Sequence, residues 1–454
     1  MKFSLCIKDF YQSCDKLEHL HNGYTSYFMS KTRNVAKQSF QYIQGKLLEK
    51  GDGNMCSYSK NVPDCNNQSL THFVSDSPWD HKPVLDHIQR DVSHLIGDRK
   101  HGALHVDECC FPKQGKHSVG VKRQYCGRLG KITNCQVGVF LGYNNGPYRT
   151  LIDERLYLPG EWTGDQVRRI KCGIPDDIVF KTKVELAWEM ILHAKKNHVP
   201  FGWIGIDCFF GKDAWFRNQI GNNGMIYIAD IRCDTLVWLE RPDIRIPGRK
   251  KGVRGRNPTR MKAIGKDPVH VQDLMDQLEP GQWNHVFIRD TERRELWSNI
   301  AIIRVFPVVD GLPGDELWLI IRQDDDKNNV KYQFSNASLD TSLRCFAMMS
   351  GSRYWIERTF EDGKGIAGLG DYQVRSWTGW HHHMTMTLLA MLYILMLALD
   401  MGEKAEFLTV QDVKEILEVI MPKRKVTKKE LLNLILEKHK ARESARRSHH
   451  RRNR

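Results

Sequence analysis

Apolar positions in the first hundred residues recur every three to four places. In "VLDHIQRDVSHLIG" (84–97), Val84, Leu85, Ile88, Val92 and Leu95 share one helical face just after the turn-like "SDSPWD", so residues 1–98 are expected to form a small helical domain. From 102 the period drops to two. "GALHVDECC", "SVGVKRQYC" and "TNCQVGVFLGY", joined by turns at "PKQGK" and "GRLGK", predict a three-strand antiparallel meander. A helix is expected over about 176–197, its apolar face supplied by Val179, Val184, Leu186, Ala187, Met190 and Ile191. Then "FGWIGID" reads as a short buried strand, "DAWFRNQIG" as a helix and "MIYIADIRCDTLVWLE" as another strand, which gives the order βββαβαβ.

"RIPGRKKGVRGRNPTR" (245–260) is too rich in Gly, Pro and basic residues to continue a core element and reads as a loop. Short strands such as "HVFIRD", "AIIRVFPVV" and "ELWLIIRQ" follow, and helices resume at 341. The pattern divides the chain into a helical segment (1–98), a first α/β segment (99–240), a β-rich insertion (241–344), a second core segment (345–420) and a basic tail (421–454). "MTMTLLAMLYILMLAL" (384–399) is membrane-like, but sixteen residues fall short of the roughly 20 that span a bilayer, so a buried core helix is expected and no membrane partner. The opening "MKFSLCIKDF" has too short an apolar run for a signal peptide.

Composition excludes a disordered chain, since 41% of the 454 residues are hydrophobic and 27% charged. The formal charge of +14 points to a polyanionic partner, with nucleic acid foremost because Lys and Arg release counterions condensed on phosphates. The tail from Pro422 holds thirteen Lys/Arg against three Glu, and reads equally as a disordered solubilising end or as a DNA contact. Twelve Cys without a C-x-x-C predict reduced thiols in a cytoplasmic protein, with neither a zinc site nor a disulfide framework.

The candidate chemistry begins at "RYWIERTFEDGK" (353–364). On a helix Arg353, Glu357, Glu361 and Lys364 form one stripe beside an apolar stripe of Ile356, Phe360, Gly363 and Ala367; the plain alternative is a solvated face with i,i+4 pairs. Asp107 in the first strand and Asp207 at the end of "GWIGI" are acids on rigid strands, and each taken singly reads as a turn or cap residue. With Glu357 they make three carboxylates from two strands and a helix, enough for two Mg²⁺ ions about 4 Å apart acting on a phosphodiester. Arg353 and Lys364 would then hold the remaining phosphate oxygens. Lys113, Lys116, Lys122 and Arg123 cluster beside Asp107 in sequence and are DNA-contact candidates.

"HVDECCFPKQGKHSVGVKRQYCGRLGKITNCQVGVFLGY", "GWIGIDCFFGKDAWFR" and "RYWIERTFEDGKGIAGLGDYQVRSWTGWHHHM" resemble the insertion-sequence DDE transposases, over about 30–400. The resemblance implies an α/β ribonuclease H-like core interrupted by a β-rich insertion ahead of the catalytic helix, with a helical N-terminal DNA-binding domain. It implies Asp107, Asp207 and Glu357 as catalytic and metal-binding residues for two Mg²⁺ (or Mn²⁺) ions, and Arg353–Glu357–Lys364 as an R-E-K signature. The tyrosine heading that signature in many relatives is Ser350 here. The implied activity is binding of terminal inverted repeats in double-stranded DNA, strand cleavage, and joining of 3′-hydroxyl ends to target DNA by a homodimer on the prokaryotic nucleoid. Arg249, Lys250, Lys251, Arg254 and Arg256 in the basic loop would hug the DNA end. The alternatives are a catalytically inactive DNA-binding derivative, against which the three intact acids argue, and a nuclease that cuts without joining.

Other motifs carry plainer readings. The Gly residues of "KQGKHSVGVKRQYCGRLGK" lie in hairpins, without the strand-to-helix context of a phosphate loop. His381, His382 and His383 diverge by 100° per step and cannot converge on one ion, so a helix start is expected. Asp213 reads as the N-cap of "AWFRNQI", and Trp283, Trp297 and Trp318 as packing residues.

Overall fold

The computed structural model describes residues 3–452 apart from 30–31, 50, 52, 249–257, 292–293, 326–328, 406–407 and 426. The loop residues Arg249, Lys250, Lys251, Arg254 and Arg256 therefore lie outside the described residues.

Five helices come first: α1 (Ile7–Tyr24), α2 (Ala36–Leu48), α3 (Met55–Asn61), α4 (Asn67–Ser75) and α5 (His81–Ile96). The Asp80 carboxylate accepts the Lys82 amide and starts α5, and Val84, Leu85, Ile88 and Val92 are buried on its inner face. That face ends on Ile96 rather than Leu95, which is 37% exposed. Leu20, Tyr42, Phe73 and Ile88 of these helices share one buried cluster with Leu104 and Phe140 further along the chain and with Leu388 and Leu392 near its end.

β1 (Gly102–Pro112), β2 (Lys122–Cys126), β3 (Lys131–Asn145) and β4 (Tyr148–Leu156) follow. The meander expected from the sequence is built differently. Its second strand is only the short β2 on the edge of β3, while β3 pairs antiparallel with both β1 and β4. β4 escaped the periodicity because it buries polar residues: Thr150, Asp153 and Glu154 are 0% exposed. Gly146, at φ +57°, makes the left-handed turn between β3 and β4.

Short helices α6 (Gly160–Thr163) and α7 (Gln166–Cys172) lead to α8 (Lys183–Lys196). α8 starts later than the expected 176, because Thr182 and Glu185 form a reciprocal capping box there and leave Val179 outside and exposed. β5 (Trp203–Ile206), α9 (Cys208–Gly211), α10 (Ala214–Asn222) and β6 (Tyr227–Ile231) come next. β5 runs parallel to β1, and β6 parallel to β5. The strand expected to run unbroken from Met225 ends at Ile231, turns, and resumes as β7 (Leu236–Trp238).

The β-rich stretch contains β8 (Asp243–Arg245), β9 (Lys262–Ile264), β10 (Val269–His270), α11 (Val271–Met275), β11 (Asn284–Asp290), β12 (Glu295–Val309), β13 (Leu312–Pro313), β14 (Leu317–Asp324) and β15 (Val330–Ser335). β8 and β9 pair only with each other. The rest extends the first sheet, since β15 pairs antiparallel with β6, then β14 with β15 and β12 with β14, giving a mixed sheet of 13 strands. Trp318 donates to the Ala337 carbonyl and packs on Phe346, Trp283 packs against the main core, and Trp297 stacks on His285 and donates to Glu295.

α12 (Leu343–Ser352), α13 (Tyr354–Gly365), α14 (Trp377–Gly402), α15 (Val410–Ile420) and α16 (Lys428–Arg452) complete the chain. α14 is 26 residues, long and apolar enough by length and composition to cross a membrane, but 78% of its apolar window is buried against β4, α5, α2 and α4. Burial, not shortness, identifies it as a core helix. The basic tail, read equally as a disordered end, is helical in α16, with Leu431, Leu432, Ile435 and Leu436 exposed.

Candidate active site

Strand register builds the site. Val106 of β1 pairs with Ile206 of β5, and Ile206 pairs with Ala229 of β6. The next residue on each strand is an acid, so Asp107, Asp207 and Asp230 stand in one row across three neighbouring strands, whose spacing is about 4.8 Å. Asp230 was missed in the sequence although "IYIAD" obeys the same rule, an apolar strand running into an acid, that singled out Asp107 and Asp207. Treating 225–240 as one strand hid its position.

Asp207 caps α9 by accepting the Phe210 amide at 3.0 Å, and Asp213 caps α10 through the Phe216 amide at 2.9 Å, as expected of it. Close approach brings the α9 turn over β6: a Cβ on Gly211 would lie 2.2 Å from the Asp230 carbonyl oxygen.

The opposite wall is α13. Its apolar stripe of Ile356, Phe360 and Gly363 is buried and Phe360 meets Phe140 edge-on, which brings Arg353, at the start of the polar stripe, against Asp107. A Cβ on Gly142 of β3 would sit 2.5 Å from Ile356 Cδ1, so this glycine sets how closely α13 approaches the sheet. Arg353, 7% exposed at the α12–α13 junction, donates to Asp107 Oδ2 at 3.1 Å and to Glu357 Oε1 at 3.5 Å. Glu361 instead accepts from Arg358 at 2.7 Å.

Negative charge exceeds positive here. Burial pushes the Asp107 carboxyl up to about 7, against the pull of Arg353 and with the push of Asp207. Burial also raises Asp207, where the Phe210 amide and Arg353 lower it and Asp230 and Glu108 raise it. Burial opposes the Arg353 charge, yet Asp107, Asp230, Asp207 and Glu357 together hold its pKa above the ordinary value. Glu108, the next acid on β1, is neutralised by Lys183 at 2.5 Å. One guanidinium facing four carboxylates leaves a deficit of positive charge that hard divalent cations with oxygen ligands would fill, so the donor set fits Mg²⁺. Asp107, Asp207 and Glu357 are spread around Arg353 and do not form a group with ligand atoms all within 4.8 Å of one another.

The candidate phosphate contacts separate. Lys364 lies beside the Cys109 thiol and over the Phe360 ring, on the rim of a 210 Å³ cavity shared with Lys46 and Lys414. Lys113 turns inward, donating to the Tyr372 carbonyl at 3.2 Å and lying 3.5 Å over its ring, and burial lowers it to about 8. Lys122 pairs with Glu161, whereas Lys116 and Arg123 are exposed. At the position of the expected tyrosine, buried Ser350 lies 3.4 Å from the Arg322 guanidinium, while Arg289 stacks 3.6 Å over Tyr354.

Over 174 residues the chain is 29% identical to a probable transposase for insertion sequence element IS701 from Microchaete diplosiphon, an alignment covering 38% of this chain and 42% of that protein. The family described as DDE superfamily endonuclease matches residues 26–295, a span that holds Asp107 and Asp207 and ends before Glu357. Those 270 residues are more than half of the chain, and it belongs to that family.

Proposed function

We propose that the chain is a DNA transposase that binds the terminal inverted repeats of an insertion element, cleaves their strands and joins the 3′-hydroxyl ends to target DNA, working as a homodimer in the cytoplasm. The observation that carries this reading is the register placing Asp107 and Asp207 side by side, with Arg353 linking Asp107 to Glu357. The strand order β4–β3–β1–β5–β6, antiparallel then parallel, supports a ribonuclease H-like core carrying the later strands as an insertion.

Asp107, Asp207 and Glu357 would hold two divalent ions, Mg²⁺ or Mn²⁺, and when bound these supply charge stabilisation to the attacking and leaving oxygens of the phosphodiester. The chain's own part is positional. Asp107 Oδ1 and Asp207 Oδ1 are fixed by the Glu108 and Phe210 amides, and the second oxygen of Asp107 is held by Arg353. Arg353, which now donates to Asp107, would be free to donate to phosphate oxygens where an ion is held by Asp107, and Lys364 would be a second donor. Recognition of the element ends falls to residues 1–98, and contacts along the DNA to Lys116, Arg123 and the basic loop.

The test is a labelled duplex carrying the element ends, incubated with full-length protein and Mg²⁺. Cleavage and strand transfer are expected, and Asp107→Asn or Asp207→Asn should reduce both on the order of 10³-fold or more while leaving binding intact. Binding without cleavage would instead identify an inactive DNA-binding derivative, and cleavage without joining a hydrolytic nuclease.

A further inference from the structure

A second group of ligand-type side chains stands on the same face of the sheet. Phe140 of β3 pairs with Asp107 on one side and with Glu154 of β4 on the other, so Glu154 lies two strands, about 10 Å, from Asp107 with the Phe140 ring between them. Glu154 is 0% exposed and accepts from His381 Nδ1 at 2.8 Å. His81, the first residue of α5, stacks on His381 with ring centroids 4.5 Å apart. One donor atom from each of His81, Glu154 and His381 lies within 4.8 Å of the other two.

Their hydrogen bonding is incomplete. Among the described residues, Glu154 Oε2 and His381 Nε2 are buried without a partner, and His81 pairs with the Asp80 carboxylate at 3.8 Å. Idle buried acceptors are costly, and a cation satisfies acceptors. A cavity of 860 Å³ opens onto His81 and His381, which leaves a fourth position for water. Of the two nearby cations, Arg155 pairs with Asp153 and Lys82 lines the same cavity.

We infer that His81, Glu154 and His381 bind one divalent transition-metal ion of the zinc class, tying the N-terminal helices through α5 to β4 and α14. Two imidazoles and a carboxylate suit Zn²⁺, whose ligands at about 2.1 Å stand roughly 3.4 Å apart in a tetrahedron. Contraction to that spacing would require His81, whose ring lies nearly parallel to that of His381, at 19°, to rotate. Three successive histidines still do not share an ion; only His381 contributes, while His382 is held by the Val74 and Trp79 carbonyls and His383 by the Tyr42 hydroxyl.

The experiment uses full-length protein stripped with EDTA and titrated with Co²⁺, then Zn²⁺. One equivalent of Co²⁺ is expected to give the visible absorption of four-coordinate nitrogen and oxygen ligation, to be displaced by Zn²⁺, and to raise Tm. The signal should persist in the Asp107→Asn, Asp207→Asn double variant. His81→Gln, at the cavity rim, should weaken Zn²⁺ binding about tenfold or more, and Glu154→Gln should abolish the absorption. No absorption and no Tm shift in the wild-type protein would overturn the site, as would an unchanged Zn²⁺ affinity in His81→Gln or a signal that disappears in the Asp107→Asn, Asp207→Asn double variant.

Discussion

The acids on the sheet and the acid on the helix live in different surroundings. Asp107 within β1 and Asp207 just past β5 are enclosed, held by backbone amides, and pushed towards neutrality by burial. Glu357 has 62% of its side chain exposed and only a 3.5 Å contact with Arg353. The sheet presents a fixed, electrostatically costly floor, whereas the helix presents an acid whose position depends on how α13 sits. Preorganisation is concentrated where strands are hydrogen-bonded on both sides, and adjustability where one helix rests on a glycine.

The sharpest way to break this comparison is to exchange the two acids of the helix stripe. Glu357→Gln removes the acid that shares Arg353 with Asp107 and should lower cleavage by at least about 10²-fold. Glu361→Gln removes an exposed pair with Arg358, worth about 0.2–1 kcal/mol, and should leave cleavage near wild type. Rates on the same labelled duplex decide it: equal losses, or a larger loss from Glu361, would move the third carboxylate one turn along α13.

A smaller effect should come from beneath the helix. Gly142→Ala forces a methyl against Ile356, and overpacking of this kind costs about 1–3 kcal/mol. Gly127→Ala, in open space at a position without positive φ, is the neutral control. Urea denaturation gives the stability loss, and the cleavage rate should fall further than that loss explains, because α13 carries both Arg353 and Glu357. A Gly142→Ala protein with unchanged rate would show that the placement of α13 is not limiting.

The helix side of the site was legible in the sequence and much of the sheet side was not. The spacing of Arg353, Glu357, Ile356 and Phe360 is a local property, and the helix realises it residue by residue. The row Asp107–Asp207–Asp230 depends on parallel register between three separate segments, the first two a hundred residues apart, which no local period encodes. β4 was unreadable because its buried Asp153 and Glu154 break alternation, their partners being Arg155 on the same strand and His193 and His381 on distant helices. Lys113 was grouped with DNA contacts by proximity along the chain, but its amine has folded back onto Tyr372. The scattered cysteines also hid a meeting, since the sulfurs of Cys110, Cys126 and Cys135 lie within 4.8 Å of one another.

The smallest expected effect concerns the far end of α13, where the N-terminal helices hold it. Lys46 of α2 is 2% exposed and donates to the Ala367 and Gly368 carbonyls at 3.1 and 3.3 Å. Burial lowers it to about 7, partly opposed by Asp371, whereas an unfolded chain carries lysine near 10.4. Between those values the unfolded chain binds more protons, so the contribution of Lys46 to stability rises as pH climbs from about 7 towards about 10. Lys46→Met leaves two buried carbonyls without their donor and should cost about 1–3 kcal/mol at pH 9, with the gap to wild type shrinking as pH falls to 7 and below. Chemical denaturation of both proteins across that range tests the sign. A gap that instead widens towards low pH would mean that the amine keeps its charge against the helix end, and that α13 is anchored electrostatically there as well as at Arg353.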